Sequence, residues 1–433
     1  MNINSISPVD GRYNKYLKYY NDNFSELAFI KNRVLFEIDY FLFLISMNES
    51  PFYNNEKLNK YIKNVKEELI VNLYDNCIEI KEKENIIHHD VKSIEYFLAD
   101  KLKKGGFNGY VNLLHFGLTS QDVNTIAYSI SIKNWYYNKF FSLYDNVTNR
   151  LKEKINKWEE IVILGRTHGQ PATWTSLSKE FSVYLNKLNY EFKQLRNYNF
   201  TTKLGGSVGN LTSHLLFNKS YDWKNLLNDY LQLNYGLKRS ETTTQIHNYN
   251  EYSVFFDSIK RMCSILVDMC SDIWLYCSLG ELTLIKPKEF VGSSIMPHKV
   301  NPIEFENAEG NLKIAIMWLE FLSRELCVSR LQRDLTDSTI LRNLGVVFSH
   351  VDIGFTMIEK GFKYLKANEE KIEEILLQNL HSMSEIEQHI LRKINLEDGY
   401  NAIKSSKLHF KNKSKEEIKE KYKNIILDSI KLN

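Results

Sequence analysis

Residues 250–279 read NEYSVFFDSIKRMCSILVDMCSDIWLYCSL and carry a strongly periodic apolar pattern. That pattern has the period of an α-helix, on which side chains three or four residues apart share one face. Further apolar residues lie between them, so a helix formed here is apolar around much of its circumference. The stretch therefore predicts a long helix that is buried among other helices. The residues on the predicted face are Phe255, Ile259, Met262, Leu266, Met269 and Ile273.

Proline, which interrupts helices, is scarce in this chain. There are 6 prolines, with none between Pro171 and Pro287 and none after Pro302. The spacing of apolar residues predicts a second long helix over residues 128–158 and a third over residues 303–326. Few runs alternate between apolar and polar residues, and strands do not alternate with helices. The predicted fold class is therefore all-α, with a central bundle of very long helices.

Capping signals mark the start of the third helix. Asn301 suits the N-cap, and Pro302 suits the first helical position. Glu304 and Glu306 place negative charge near the first turn, where the helix dipole favours it. We therefore expect this helix to begin directly after Asn301.

The overall composition excludes several classes of protein. Of 433 residues, 43% are hydrophobic, enough for a sizeable core, and the net charge is only +3. Proteins that bind nucleic acid or membrane surfaces usually carry a large basic excess, so neither partner is expected. The first residues lack the pattern of a signal peptide, and no run of about 18 apolar residues predicts a membrane span. The 5 cysteines fit reduced thiols and a cytoplasmic location.

Cys263, Cys270 and Cys277 recur every seven residues within the long apolar stretch. This interval is close to two helical turns, so the three thiols would share one helix face. Cysteine ligands of zinc lie closer together in sequence. We therefore interpret these cysteines as a packing stripe and expect no metal site there.

Four segments combine polar side chains with glycine or with a predicted helix N-terminus, where free N–H groups can bind an anion. Taken singly, each segment fits a helix cap or a surface pair. Taken together, they supply a base, an acid and a cation, which proton abstraction beside a carboxylate requires. The segments are IIHHDVKSIEYF with His88, His89 and Asp90, HFGLTSQDVN with Thr119, Ser120 and Asp122, GRTHGQPAT with Thr167, His168 and Gln170, and GSSIMPHKVNP at 292–302.

The glycine-rich segment KLGGSVGN contains Gly205, Gly206 and Gly209. Its spacing differs from that of a dinucleotide-binding loop, and no predicted strand precedes it. We interpret it as a tight turn that can approach a ligand.

The segment GSSIMPHKVNP resembles the signature of the fumarase/aspartase superfamily, whose members mostly eliminate fumarate from a substituted succinate. Further segments narrow the resemblance to the adenylosuccinate lyase branch. They are SPVDGRY, HHDVKSIEYF, RTHGQPAT, TTTQI, KVNPIEFENAEGNL and SRLQRDLTDSTILRN. The similarity runs from Ser7 to about Gly345 and fades beyond it.

This resemblance implies a three-domain all-α fold, with an N-terminal domain at 1–111, a central long-helix domain at 112–364 and a small C-terminal domain at 365–433. It implies a homotetramer with a twenty-helix core and shared active sites. The implied reaction is β-elimination of fumarate from two nucleotides of purine biosynthesis. Adenylosuccinate would give AMP, and the succinyl-aminoimidazole-carboxamide ribotide would give AICAR. No metal or organic cofactor is expected, and the C-terminal domain is short for this branch.

The resemblance also assigns catalytic roles. Ser293 matches the general base, His168 the general acid that protonates the departing nitrogen, and Glu306 the carboxylate that orients that histidine. His89 and Lys299 complete the predicted catalytic set. A serine hydroxyl is a very weak base at pH 7, so backbone N–H groups or Lys299 must lower its pKa, and the sequence leaves both open.

Substrate contacts follow from the same resemblance. Lys299 and Asn301, with Thr119 and Ser120, match groups that hold the succinyl carboxylates. His89 and Asp90 would orient the substrate, and Gln245 would contact its succinyl or base portion. The phosphate cradle would be Arg12, Tyr13, Arg333, Ser338 and Arg342. The further predicted substrate-binding residues are His88, Ser294, Asn307 and Thr339. Ile87 and His88 depart from the small polar residues that many relatives have before HDVK.

Two alternatives stay open at this point. Another fumarate-releasing lyase, such as fumarase, aspartase or argininosuccinate lyase, binds no nucleotide phosphate, which would leave the arginines of the predicted cradle without a role. An inactive helical scaffold would be expected to have lost at least one of Ser293, His168 and Lys299, and all three are present.

Overall fold

The structure, a computed structural model, describes residues 4–47, 53, 55–287, 295–296, 298–394, 399–405 and 414–431. It is predominantly helical in these ranges, which confirms the predicted all-α class. The helices are α1 (Lys18–Phe24), α2 (Glu26–Ile45), α3 (Glu56–Val71), α4 (Leu73–Ile87), α5 (Asp90–Lys104), α6 (Ser120–Trp135), α7 (Phe141–Lys157), α8 (Leu177–Arg196), α9 (Thr212–Phe217), α10 (Trp223–Tyr235), α11 (Asn250–Leu279), α12 (Ile303–Glu325), α13 (Thr336–Leu341), α14 (Leu344–Tyr364), α15 (Glu369–Gln378), α16 (Ser384–Lys393), α17 (Gly399–Ser405) and α18 (Lys415–Ile430).

Short strands connect some of these helices and form two-stranded sheets. The strands are β1 (Val162–Ile163), β2 (Arg166–Thr167), β3 (Gln170–Pro171), β4 (Thr175–Ser176), β5 (Thr201–Thr202), β6 (Lys238–Arg239), β7 (Leu282–Leu284) and β8 (Leu365–Ala367). The pairs β1–β4, β2–β3 and β7–β8 are antiparallel, and β5–β6 is parallel. A π-helix at Tyr136–Phe140 joins α6 to α7, and 3₁₀ turns lie at Asn14–Tyr16, Asn108–Leu113 and Leu380–Met383.

The three predicted long helices are present. Helix α11 has the predicted bounds, and the six apolar residues of its predicted face are 0% exposed. Helix α12 begins at Ile303, the start predicted from the apolar spacing, and ends at Glu325, one residue early. Its predicted cap needs a correction. The carbonyl of Pro302 accepts the N–H of Glu306 at 3.1 Å, so Pro302, rather than Asn301, holds the capping position.

The second long helix starts earlier than predicted, because its first turns also bury polar residues. Helix α6 begins at Ser120, and the π-helix and α7 carry the helical path to Lys157. Gln121, Asp122 and Thr125 are each at most 2% exposed. Val123, Ile126 and Ala127 have helical spacing and are 0% exposed, so the apolar signal in this part of the sequence is short and is interrupted by buried polar residues.

Helix α11 is also the one helix in the described ranges that is long and apolar enough to cross a membrane by length and composition alone. A helix in the core of a globular protein meets the same test. The complete burial of its predicted apolar face fits the core position that the sequence predicts.

The chain divides into two compact units, each assembled from three segments. The first unit comprises residues 1–142, 194–260 and 314–352, and the second comprises residues 143–193, 261–313 and 353–433. The boundaries fall within α7, α8, α11, α12 and α14, so these helices contribute residues to both units. The division into three domains at 111 and 364 stays a prediction.

In the first unit, helices α2 to α5 pack around an apolar core. Phe41 of α2, Leu58 of α3 and Phe97 of α5 are members of this core, and each is at most 1% exposed. Trp135, at the end of α6, stacks on Phe348 of α14 with ring centroids 4.0 Å apart. This packing fixes α6, whose N-terminus carries predicted site residues.

In the second unit, two glycines let α12 and α14 approach closely. A Cβ atom at Gly354 would lie 2.5 Å from the side chain of Leu312. A Cβ atom at Gly361 would lie 2.7 Å from the ring of Phe305. Larger residues at either position would push the two helices apart.

A buried acid contacts the end of α6. Asp352 of α14 is 2% exposed, and its Oδ1 accepts a hydrogen bond from Nε1 of Trp135 at 3.1 Å. Burial raises the pKa of Asp352 to about 7, against smaller opposing effects of Lys139, Trp135 and Tyr20. The carboxylate is therefore a titrating group inside the first unit.

Asp352→Asn is expected to stabilise the protein most above pH 7. Because the folded pKa lies above the unfolded value of about 3.9, wild-type stability falls as pH rises from about 4 to 7 and stays low above that window. Urea unfolding at one protein concentration should show that the wild type loses roughly 2–3 kcal/mol more than the variant between pH 5 and pH 8. Parallel pH dependence of the two proteins would contradict this assignment.

Candidate active site

Helix α6 begins at the Thr119–Ser120 pair that the sequence singles out. The backbone N–H of Thr119 donates to Oδ2 of Asp122 at 2.7 Å, and the N–H of Asp122 donates to the carbonyl of Thr119 at 2.9 Å. These reciprocal bonds fix the first turn. The N-terminal end of a helix favours anions, so this position suits the predicted role of Thr119 and Ser120 in holding a carboxylate.

Asp122, which the sequence analysis singles out without assigning it a role, is the centre of a buried polar cluster. Its carboxylate lies 2.7 Å from Nζ of Lys203, and both side chains are 0% exposed. The N–H groups of Gly205 and Gly206 donate to the carboxylate at 2.8 and 3.2 Å. Lys203 also donates to the carbonyl of Gly206 at 2.6 Å. Burial lowers the pKa of Lys203, and the charge of Asp122 opposes that shift.

The glycine-rich segment is a tight turn, as predicted, but its close neighbours are backbone atoms of the protein. Gly206 has φ 81°, and a Cβ there would lie 2.9 Å from the carbonyl oxygen of Gly117. Gly209 has φ 82°, and a Cβ there would lie 2.0 Å from the carbonyl oxygen of Thr243. Contacts within the chain thus already require these glycines, and the interpretation that this turn can approach a ligand stays a prediction.

Gln245 and Arg333, both predicted site residues, belong to one series of hydrogen-bonded residues in the first unit. Nε2 of Gln245 donates to the carbonyl of Ser207 at 2.8 Å. The backbone N–H of Gln245 donates to the carbonyl of Gln332 at 3.2 Å, next to Arg333. Nη1 of Arg333 donates to Oδ1 of Asp337 at 3.1 Å. These contacts connect the glycine turn to the segment that carries the predicted phosphate-binding residues.

Asp337 closes this series of hydrogen-bonded residues into a ring. Its carboxylate is 5% exposed and accepts from Nε2 of Gln121 at 2.5 Å, from the hydroxyl of Tyr249 at 2.9 Å and from the N–H of Ser338 at 2.7 Å. Since Gln121 lies on α6, the ring returns to the helix that begins at Ser120. Sequence reasoning missed Asp337 and Gln121, because both lie in quoted segments where nothing distinguishes a buried hydrogen-bonding centre from an exposed residue.

Asp90 opens α5 and lies between two arginines. Its Oδ2 is 2.7 Å from Nη2 of Arg33 and 3.2 Å from Nη2 of Arg342. Burial alone would raise the pKa of Asp90, but Arg33, the N–H of Val91 and Arg342 outweigh it and hold that pKa below its usual value. Arg342 also pairs with Glu26 at 3.4 Å. The structure therefore brings together two predicted site residues, Asp90 and Arg342.

The two predicted histidines before Asp90 lie between helices and are exposed. His88 ends α4 in the left-handed conformation, with φ 54°. His89 caps α5, and its Nδ1 accepts the N–H of Lys92 at 3.1 Å. Because Nδ1 is an acceptor, the neutral ring carries its proton on Nε2, which can donate to a substrate.

The remaining predicted phosphate-binding residues lie at the surface of the first unit. Arg12 and Thr339 are exposed, and Tyr13 and Ser338 are partly exposed. The N–H of Tyr13 donates to the carbonyl of Pro8 at 2.9 Å, which closes the turn before Asn14–Tyr16. A bound phosphate could therefore reach these side chains from solvent.

His168 lies at the tip of a two-residue hairpin in the second unit. Strands β2 and β3 pair so that Thr167 faces Gln170, and His168 and Gly169 form the turn with φ of 53° and 74°. Positive φ at both positions is typical of a type I′ turn, in which a residue other than Gly, Asn or Asp costs about 1–2 kcal/mol. The side chain is exposed. A strained, exposed histidine at this tip favours a functional role.

Ser293 and Ser294 lie outside the described residues, as do residues 288–292 and 297. Lys299 is exposed, and its N–H donates to the carbonyl of Met296 at 3.0 Å. The carbonyl of Asn301 accepts from Nζ of Lys286 at 3.2 Å. Lys299 and Asn301 thus directly precede α12, where the sequence expects groups for a carboxylate.

Glu306 and Asn307 lie in the first turns of α12. Oε1 of Glu306 accepts from Nε1 of Trp274 at 3.1 Å, and Oδ1 of Asn307 accepts from Nδ2 of Asn311 at 3.1 Å. Within the described part of this chain, no hydrogen bond or ion pair joins Glu306 to His168. Their predicted pairing stays a prediction.

Each unit thus holds part of the predicted site. The first supplies a helix N-terminus, the three arginines Arg12, Arg333 and Arg342 and the two histidines His88 and His89, which suit the binding of carboxylate and phosphate groups. The second supplies an exposed imidazole and a lysine, which suit proton transfer and anion binding. In the ranges that the structure describes, no group of three or more His, Cys, Asp or Glu side chains is placed to hold a metal ion. Cys263 and Cys270 of the predicted stripe are buried.

Two family models match the chain. One, described as Lyase, matches residues 9–315. The other, described as Adenylosuccinate lyase C-terminal, matches residues 329–430. Together they cover most of the sequence, including every described residue of the predicted site.

Similar proteins of known name include adenylosuccinate lyases from a slime mould and from bacteria. The Dictyostelium discoideum protein is 39% identical over 408 residues, which cover 93% of this chain and 88% of the relative. The protein from Buchnera aphidicola subsp. Baizongia pistaciae is 35% identical and covers 93% of this chain and 86% of its own. The Vibrio cholerae protein is 33% identical, with coverage of 93% and 88%.

Two solved structures share the fold at low sequence identity. The 3-carboxy-cis,cis-muconate lactonizing enzyme from Pseudomonas putida superposes with a TM-score of 0.71 at 14% identity, covering 91% of this chain and 86% of its own. The fumarate lyase from Mesorhizobium sp. BNC1 has a TM-score of 0.72 at 13% identity, with coverage of 89% and 84%. At such low identity the likeness shows the fold alone.

Proposed function

Because the chain belongs to the adenylosuccinate lyase family, we propose that it eliminates fumarate from adenylosuccinate, giving AMP, and from the succinyl-aminoimidazole-carboxamide ribotide, giving AICAR. The observation that carries this proposal is the sequence match to proteins of that name along nearly the whole chain. The other fumarate-releasing lyases and the inactive scaffold are not favoured by these relatives.

In the proposed reaction, Ser293 removes a proton from the carbon beside a succinyl carboxylate. The electron pair of that C–H bond forms the double bond of fumarate as the C–N bond breaks. His168 gives a proton to the departing nitrogen, so the leaving group departs neutral. The exposed position of His168 on a strained turn supports this role. Lys299, beside the start of α12, would stabilise the charge that develops on the carboxylate.

For binding, we assign the succinyl carboxylates to Thr119 and Ser120 at the N-terminus of α6, with Lys299 and Asn301. The nucleotide phosphate is assigned to the predicted cradle that includes Arg333. Nη1 of Arg333 donates a hydrogen bond to Asp337, which fixes the orientation of the guanidinium. Because a guanidinium has five N–H donors, it can make this bond and still bind a phosphate.

We further propose a cytoplasmic homotetramer in which each active site takes groups from different subunits. This arrangement would allow Glu306 of one subunit to reach His168 of another, since within the described residues of one chain Glu306 accepts a hydrogen bond from Trp274 instead. Exposed apolar side chains on α11 and α12 also support it, since Trp274, Leu275 and Met317 are 44%, 52% and 59% exposed. Burial of such side chains against another subunit would remove this apolar surface from water.

The test of the proposed function is a direct assay. Purified protein is mixed with adenylosuccinate, and ultraviolet absorbance reports the loss of the succinyl group. Malate, aspartate and argininosuccinate are tested beside it. We expect turnover of adenylosuccinate and of none of the other three. An inactive protein, or one that acts on argininosuccinate instead, would overturn the proposal.

Arg333→Ala is expected to raise KM for adenylosuccinate by about 10–100-fold, because a charge-assisted contact to phosphate is lost in ground and transition states alike. The turnover number should change much less. Arg330→Ala is the matched control, since Arg330 lies in the same segment, is 81% exposed and pairs with Asp334 at the surface. An unchanged KM in the Arg333 variant would remove this residue from the phosphate site.

A further inference from the structure

The hairpin that carries His168 is contacted, at the first residue of β2, by a buried acid that the proposed mechanism does not use. Arg166 opens β2, two residues before His168, and its Nη2 lies 3.7 Å from Oε1 of Glu281. The side chain of Glu281 is 1% exposed, and that of Arg166 is 26% exposed. A largely buried pair of opposite charges thus joins the hairpin to the segment after α11.

Glu281 is held firmly by its backbone. Helix α11 ends at Leu279, and Gly280 follows with φ 79°. The N–H of Glu281 donates to the carbonyl of Tyr276 at 3.0 Å, and the N–H of Gly280 donates to that of Cys277 at 3.2 Å. These two bonds form a Schellman motif, which stops the helix at a defined residue. The carbonyl of Glu281 then accepts the N–H of Asn368 at 2.9 Å, beside the pair of β7 and β8.

The side chain of Glu281 depends on Arg166 for charge compensation. Neither carboxylate oxygen has a hydrogen-bond partner among the described residues. Burial raises the pKa of Glu281, and Arg166 opposes that shift. Tyr276, Asp272 and Glu180 lie in the same region, and none of them is a cation. Removal of either member of the pair would leave the other without compensation in a poorly hydrated place.

We propose that Glu281 is a positioning residue for His168. It holds Arg166 and thereby keeps the β2–β3 turn in the left-handed conformation that presents the imidazole. A non-glycine residue keeps this strained backbone conformation only where surrounding contacts stabilise it. The Arg166–Glu281 pair is such a contact, two residues away from His168. The inference rests on the proposed function, because it takes His168 as the general acid.

Glu281→Gln is the variant that tests this inference. We expect kcat for adenylosuccinate to fall by about 10–100-fold with KM changed by less than about threefold, since a small misplacement of a catalytic group costs up to about 100-fold. The uncompensated charge of Arg166 should disfavour the protonated imidazole, so the basic limb of the kcat profile should move to lower pH by about half a unit. Glu281→Asp, which keeps the charge, should retain more activity. Glu281→Gln combined with Arg166→Gln should return the limb toward its wild-type position.

Glu191→Gln is the matched control. Glu191 of α8 pairs with Arg261 of α11 at 2.9 Å in the same unit, and its side chain is 10% exposed against 48% for that of Arg261, so its loss removes a largely buried acid from its pair with an arginine. Circular dichroism and thermal melting establish that each variant is folded. If Glu281→Gln does not fold, Glu281→Asp and Arg166→Gln are measured in its place. A folded Glu281 variant with wild-type kcat and pH profile would overturn the inference, as would an equal loss in Glu191→Gln.

A readout that does not need turnover separates this inference from the proposed function. In protein labelled with ¹³C-histidine, the His168 signal is assigned by its absence in a His168 variant. Its titration midpoint should move to lower pH in Glu281→Gln and not in Glu191→Gln. An inactive wild-type protein would count against the proposed function, whereas an unmoved midpoint would count against the positioning role.

Discussion

Replacing His168 by asparagine is expected to lower the turnover number for adenylosuccinate by about 10²–10⁴-fold, which is the usual contribution of a general acid. Asparagine tolerates the left-handed conformation better than histidine does, so the turn should keep its shape and the melting temperature should be unchanged or higher. Binding uses other groups, and calorimetry should therefore show that the variant still binds adenylosuccinate. Steady-state kinetics and thermal melting of the same preparation measure both effects.

The control for this variant is His389→Ala, which removes an exposed histidine from α16 in the same unit. It should leave turnover unchanged. Near-normal turnover in the His168 variant would show that another group protonates the leaving nitrogen, and His89 would be the next residue to test.

The same variant also tests the shared site. Mixed with Ser293→Ala under mild denaturation and reassembly, it should form hybrid tetramers. If each site draws its histidine and its serine from different subunits, about a quarter of the sites receive both intact groups after random mixing. Activity should rise from near zero toward that fraction of wild type. Hybrids confirmed by mass that stay inactive would show that one subunit supplies both groups.

Asp122→Ala is expected to reduce the free energy of unfolding by about 3–5 kcal/mol, because it leaves the charge of Lys203 buried without its partner. The variant also frees the N–H groups of Thr119, Gly205 and Gly206, which the carboxylate accepts in the folded chain. The loss should appear as a lower midpoint in urea unfolding followed by circular dichroism. Turnover would fall as well, since the start of α6 loses its cap.

Two further variants serve as controls for this prediction. Glu68→Ala removes a carboxylate of the same unit that is 52% exposed and lies 3.0 Å from Lys101, and it should cost at most about 1 kcal/mol. Asp122→Asn combined with Lys203→Met removes both charges and should recover much of the stability lost in Asp122→Ala. An Asp122→Ala variant no less stable than Glu68→Ala would contradict the assignment of a buried, mutually dependent pair.

The local sequence pattern predicted the helices well where regularly spaced apolar residues form the buried face. The bounds of α11 follow from the apolar spacing between residues 250 and 279 and from the absence of proline. The start of α6 was missed because its first turns also bury polar residues, among them Gln121 and Asp122, which are held by hydrogen bonds. The spacing of apolar residues cannot predict the burial of polar side chains.

The candidate site divides in the same way. Short segments such as RTHGQPAT and GSSIMPHKVNP contain their reactive side chains within a few residues. His168 and Lys299 can therefore be identified from local sequence alone. The partners of these groups cannot be found in this way. Gly205 donates to Asp122 from 83 residues away, and Arg342 reaches Asp90 across 252 residues. Such pairs form only when packed helices bring remote segments within hydrogen-bond distance and exclude the water that would otherwise solvate each charge separately.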